Sequence, residues 1–252
     1  MKNTTETSCF EWIRTGRQQI PPANSPGGVP LACVLPLKFE RYAKILHRLS
    51  VSEDRIDPSL TREELAILEI PDCILIKQLV ASKPKGTRIF WSEAAQHLEV
   101  PYSQEITPEW FSRSLAPNPQ CWPRFIDGPA DGVLDKEESS ELASILAKNT
   151  TQSACNFRHP EIPFIGTDQT ILFEGSLEEV PEFFADFQFG PEYWWPHDHQ
   201  WCVCSDYDLT FTIVGGSSQL ITALLRSEVL ECIEISSEIR VDDLAPMPAR
   251  PV

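Results

Sequence analysis

Hydrophobic positions recur with two periods along this chain, and the change of period divides it. In the first half the repeat is helical. Phe39, Tyr42, Ile45, Leu46 and Leu49 fall three or four residues apart and predict an amphipathic helix across them. Thr61 followed by Glu64 is a capping-box pattern opening a helix over Thr61–Leu68, and a second follows Pro71 around Cys73–Val80. Trp91, Ala94, Ala95 and Leu98 line one side of a short helix over Thr87–Leu98. Thr107–Leu115 and Lys136–Ala147 are further helices, the latter striped by Leu142, Ile145 and Leu146. Leu31–Leu35 alone in this half reads as a short buried strand.

The second half alternates strand and helix. Thr170–Glu174, Trp201–Val214 and Glu231–Ile235 are strand-like, while Leu177–Phe184 and Ser217–Leu225 are helix-like. The expected fold class is therefore α/β (α+β), with a helical N-terminal half packed on a small mixed sheet that carries helices in the C-terminal half. Residues 1–30 end in the turn-rich run Ile20–Gly28 and read as a flexible arm with one short helix around Phe10–Arg17. Residues 31–150 form a mainly helical region, 151–244 an acidic α/β region and 245–252 a tail; residues 31–244 are compatible with one domain.

Charge separates the same two halves. Of 21 Lys+Arg and 37 Asp+Glu in the 252 residues, 17 and 20 fall in residues 1–150, and 4 and 17 in residues 151–252. The net charge is thus −3 against −13, within a total of −16. A field of that sign repels phosphate backbones, so no nucleic-acid partner is expected; it attracts a basic protein surface or a cation. A DNA-reading role for the Trp91 helix would need a basic partner helix, and none follows. Met1–Trp12 has no apolar core of signal-peptide length, and Lys77 and Gln78 interrupt the Ile74–Ala81 cluster, so no membrane span is expected. The 8 cysteines are irregularly spaced without a CxxC pair, which fits reduced thiols in a cytoplasmic protein.

Candidate chemistry concentrates between Pro191 and Gly216, where Trp194, Trp195 and Trp201, three of the 7 tryptophans, lie close together. Read as one strand from Trp201, alternation sends Trp201, Val203, Ser205, Tyr207, Leu209, Phe211 and Ile213 to a core face. It sends Cys202, Cys204, Asp206, Asp208, Thr210 and Thr212 to a polar face. Asp206 and Asp208 then stand about 6–7 Å apart on that face, a pair suited to a divalent cation or to acid–base work, and equally to a solvated sheet face. His197, His199, Cys202 and Cys204 are zinc-ligand types, but they crowd one short segment, whereas structural zinc sites draw ligand pairs from two loops. Asp198 caps a turn after Pro196 as readily as it binds anything. Gly215-Gly216-Ser217 reads as a tight turn with a serine N-cap. Asp127–Val133 is a turn without the ligand set of a calcium loop, and Cys155 with His159 is too bare a pair to make a nucleophile.

Trp194, Trp195, Pro196, Asp198 and Trp201, followed by Asp206, Asp208 and Val214-Gly215-Gly216-Ser217, resemble a bacterial protein family with a W-W-P-x-D-x-x-W … D-x-D … V-G-G-S signature and no known activity. The resemblance implies no reaction, and it does not require histidine at His197 and His199. Two functions are open, beside a plainer reading in which the tryptophans are simply core and the site lies elsewhere. The first is a non-enzymatic binder, of the immunity or inhibitor kind, that holds a basic protein through its acidic C-terminal region. The second is a metal-assisted or small-molecule enzyme using Asp206 and Asp208 beside an aromatic pocket. Binding is expected at Tyr193, Trp194, Trp195, Asp198, Asp206 and Asp208, and no cofactor is expected.

Overall fold

A computed structural model describes residues 2–4, 7–22, 28–52, 83–97, 101–108, 111, 126–151, 154–159, 171–182 and 190–242. The chain divides into two units, one of Met1–His47 with Ala130–Asp242 and one of Arg48–Pro129 with Asp243–Val252.

The first unit is built on strands β1 (Lys2–Thr4), β2 (Arg41–Leu46), β6 (Cys155–His159), β7 (Ile171–Gly175), β8 (Tyr193–Pro196), β9 (Cys202–Cys204), β10 (Phe211–Gly216) and β11 (Glu231–Ile235). In the second unit β3 (Leu49–Val51) pairs with β4 (Arg88–Ile89) and β5 (Ile126–Asp127). The large sheet runs β1-β7-β6-β8-β9-β10-β2-β11, and every neighbouring pair in it is antiparallel.

Two helices supply one layer over this sheet. Helix α4 (Lys136–Lys148) starts on a capping box in which Asp135 and Glu138 satisfy each other's backbone N–H. Helix α5 (Ser218–Leu225) is capped by the Ser217 side chain, which accepts from the Leu220 N–H. Leu142, Leu146, Ile221 and Leu224 share a core with Ala43, Ile45, Phe157, Trp194, Val203 and Val214, one side chain in two along each strand. Each such burial contributes about 1.5–3 kcal/mol. The opposite sheet face carries Tyr42, Tyr193, Trp195, Cys202, Cys204 and Ile213, all buried. Against it lie helices α1 (Glu11–Gly16) and α2 (Leu31–Val34) and the 3-10 turn Thr7–Phe10. The Phe10 ring sits 5.4 Å from Tyr193 and 5.7 Å from Trp195, and the Tyr193 hydroxyl donates to the Val34 carbonyl at 2.9 Å.

This architecture corrects the expected fold class. The sheet is neither small nor mixed: it is a wide antiparallel sheet, and among the described residues the N-terminal half is not helices packed on it but supplies two of its strands, β1 and β2. The segment Phe39–Leu49, expected as a helix, is a central strand, β2, paired to β10 on one side and β11 on the other. Both of its faces are covered, so its apolar residues lose the alternation that marks a half-buried strand and happen to fit a helical spacing. Even Lys44 is only 3% exposed, its ammonium 4.9 Å from the Phe211 ring centroid. Leu31–Leu35, expected as a strand, is one helical turn, closed by Leu35 N–H donating to the Leu31 carbonyl. Within residues 1–30, the short helix expected around Phe10–Arg17 is α1, β1 joins the sheet, and Ile13 is wholly buried.

In the second unit, helix α3 (Trp91–His97) buries Trp91 edge-on to Phe111, with ring centroids 5.2 Å apart. The helices expected over Thr61–Leu68 and Cys73–Val80 and the tail after residue 244 lie outside the described residues, as does most of Thr107–Leu115.

Candidate functional site

The Pro191–Gly216 segment is three strands and two turns, not one long strand. Trp201–Val214 breaks after Cys204 and resumes at Phe211, and β9 and β10 form a hairpin with Cys204 opposite Ile213. The face assignment made from a continuous strand therefore fails at its middle. Alternation does hold within β9, where Val203 faces the α4–α5 core and Cys202 and Cys204 face away from it.

Of the expected binding residues, Tyr193, Trp194 and Trp195 are at most 1% exposed and form core rather than an open pocket. Trp194 donates its indole N–H to the Pro191 carbonyl at 2.8 Å. Tyr193 takes a hydrogen bond from the Arg17 guanidinium, whose carbon stands 5.2 Å from the ring centroid. Burial holds the Tyr193 phenol well above its ordinary pKa. Arg158 pairs with Glu192 beneath the same layer and packs 4.8 Å from the Phe10 centroid.

Asp206 and Asp208 sit in the turn between β9 and β10. One Asp206 carboxylate oxygen accepts the Asp208 N–H at 3.0 Å, and the Asp206 carbonyl accepts the Leu209 N–H at 3.0 Å. This is an Asx turn, and it occupies one of the oxygens a cation would use. Asp206 is half-buried, which raises its carboxyl pKa, while Asp208 is exposed. Beneath the turn runs a closed chain of polar groups. The Ser205 and Thr212 hydroxyls lie 2.5 Å apart, and Thr212 Oγ1 lies 2.9 Å from His47 Nε2. His47 Nδ1 is 2.7 Å from the Ala130 carbonyl, which can only accept, so Nδ1 carries the proton and Nε2 accepts from Thr212. His47 is wholly buried, and burial lowers its pKa to about 4 despite the Ala130 bond. Gly132, at φ 63°, docks on the turn by donating to the Leu209 carbonyl at 2.7 Å; a Cβ there would stand 2.5 Å from the Tyr207 Cα.

The other turn, between β8 and β9, is built differently. His199 has φ 56°, a left-handed conformation that costs a non-glycine residue roughly 1–2 kcal/mol. Its imidazole stacks on Trp12 with ring centroids 4.2 Å apart and planes 15° from parallel. Burial, then the neighbouring Lys38 charge, lowers the His199 pKa. Lys38 places its ammonium 4.7 Å from the Trp12 centroid and 5.7 Å from that of Phe39. Asp198 is exposed and turns inward on its own loop, accepting the Gln200 N–H at 3.2 Å. Lys38, Phe39 and His199 border a cavity of about 260 Å³ lined also by Glu40, Asn149, Gln200, Trp201, Gly216 and Ser217. Trp201, Gly216 and Ser217 of the W-W-P-x-D-x-x-W … V-G-G-S pattern thus border one opening.

The four zinc-type side chains do not converge. Cys202 and Cys204 are buried on the sheet face, where burial raises both thiol pKa values, whereas His197 is exposed beside Glu174 at 3.5 Å and His199 is stacked on Trp12. Cys155 is likewise buried and its thiol is pushed up to about 12, the opposite of an activated nucleophile. Among the described residues no group of three or more His, Cys, Asp and Glu is placed to hold a metal ion, and no helix is long and apolar enough to cross a membrane. Sequence reasoning missed Trp12, Lys38 and Asn149, which come from three separate elements and carry no local signal. No protein-family profile, curated protein or solved structure matches the chain.

Proposed function

We propose that this is a non-enzymatic binding protein whose acidic C-terminal region engages a basic protein partner, in the manner of bacterial immunity or inhibitor proteins. One observation carries the reading. Glu178, Glu182, Asp208, Glu228 and Glu238 are all exposed, and none of them has an ion-pair partner among the described residues. The few arginines of the region are largely spent elsewhere: Arg158 on Glu192 and Arg240 on Asp242. Unpaired like charges repel one another, and a complementary cationic surface relieves that repulsion while steering encounter.

Affinity capture from the source cells tests this, at low and at physiological salt, with a variant in which these five carboxylates become amides. The wild-type chain retains a basic protein more strongly at low salt, and the variant loses it. Retention of nothing by the wild type, or equal retention by both, defeats the reading.

A further inference from the structure

The cavity beside His199 has a composition at odds with its surroundings. In a chain of net charge −16, Lys38 is an exposed cation set beside two aromatic rings, without a carboxylate partner among the described residues. Among the described residues the imidazole nitrogens of His199 make no hydrogen bond, and its ring stacks on Trp12. Asn149 gives its amide N–H to the Ile145 carbonyl at 2.9 Å, and its side-chain oxygen has no hydrogen bond among the described residues. Donors and an acceptor therefore line an opening whose other walls include the Phe39 and Trp201 rings.

We propose that this cavity binds a small planar carboxylate, with Lys38 as its charge partner and His199 and Gln200 as hydrogen-bond donors. The Trp201 and Phe39 rings supply the apolar walls for its ring. Three features select that class. The volume, about 260 Å³, is below the range of drug-sized pockets and suits a single ring. The Glu40 carboxylate is also in the lining, fixed by the Ser218 N–H at 2.8 Å. With one lysine against one glutamate, a second negative charge on the ligand would meet repulsion, so a monoanion fits and a phosphate dianion does not. At the start of α5, Glu40 and the Ser217 hydroxyl already occupy the Ser218 and Leu220 N–H groups. The proposal does not depend on the basic-partner reading, and either can fail alone.

Benzoate is the probe, with benzyl alcohol and inorganic phosphate as controls, added to the full chain. Indole N–H resonances and thermal stability are the readouts. Benzoate shifts the Trp12 and Trp201 indole signals saturably and raises the melting temperature, while benzyl alcohol and phosphate do neither. Lys38→Met keeps the aliphatic stem over Trp12 but weakens benzoate by about tenfold or more, and Lys38→Arg restores most of the affinity. The wild-type measurement stands even where a variant folds poorly. No saturable response to benzoate, an equal response to phosphate or benzyl alcohol, or unchanged affinity in a folded Lys38→Met protein overturns the proposal.

Discussion

The two turns that flank β9 use similar residues to opposite ends. Between β9 and β10, the central polar groups serve the fold: Asp206 closes its own turn, and Ser205, Thr212 and His47 pass hydrogen bonds along to the Ala130 carbonyl. Between β8 and β9, hydrogen-bonding capacity is left over. His199 is held in a left-handed backbone and stacked by its ring, and Lys38 has rings for neighbours rather than a carboxylate. A buried network with all partners present stabilises a fold, whereas a strained residue beside uncommitted donors is arranged for something else. The difference teaches where to look. The carboxylate pair that stands out in the sequence belongs to the structural turn, and the opening lies at the other one.

Breaking the closed turn has the largest expected effect. His47→Ala removes a wholly buried ring and strands the Thr212 hydroxyl and the Ala130 carbonyl, at a cost of about 3 kcal/mol or more in urea unfolding. The same histidine sets a pH dependence. Its folded pKa, about 4, lies below its unfolded value of 6.5, so the unfolded chain binds the extra proton first. The stability it contributes is present above about pH 6.5 and is lost as pH falls towards 4, by about 3 kcal/mol in all. Denaturant midpoints across that range check this, and His47→Gln flattens the slope. A slope unaffected by His47→Gln would show that the network does not hold a neutral imidazole.

The open turn is probed by a pair of substitutions with intermediate effect. His199→Val puts a β-branched residue at φ 56° and destabilises by about 1–2 kcal/mol, whereas His199→Gly, which adopts that backbone freely, stays close to wild type. Equal losses in the two variants, measured by thermal unfolding, would mean that the Trp12 stack rather than the backbone dominates there. Asp208→Asn has the smallest effect, within about 0.5 kcal/mol, because the side chain is exposed and makes no ion pair among the described residues. A larger loss of stability would return Asp208 to the structural side of the comparison.

Several elements were legible from pattern. Ser217 is the N-cap of α5, α4 runs over almost the predicted residues, and β7 and β11 lie where alternation put them. The Pro191–Gly216 segment was legible as important and misread in detail. A continuous strand would have aligned Asp206 with Cys204 and Thr212. The Asx turn at Asp206 reverses the chain instead, so Thr212 ends up against Ser205 and His47. The tryptophans were read as a pocket because aromatic residues in sequence look the same whether they line a site or fill a core.

By itself the sequence determined the charge split, the capped helices and the strand-forming stretches whose burial is one-sided, because each of these is a property of neighbours along the chain. Tertiary structure decided the rest. Arg41–Leu46 became a strand because partners on both edges and layers on both faces outweighed its helical spacing. Tyr193 and Trp195 became core because α1 and the Phe10 turn, nearly two hundred residues upstream, cover that sheet face. The cavity beside His199 exists only where Lys38, Asn149 and Gly216 are brought together, and no local period records which distant rings will stand beside a charge.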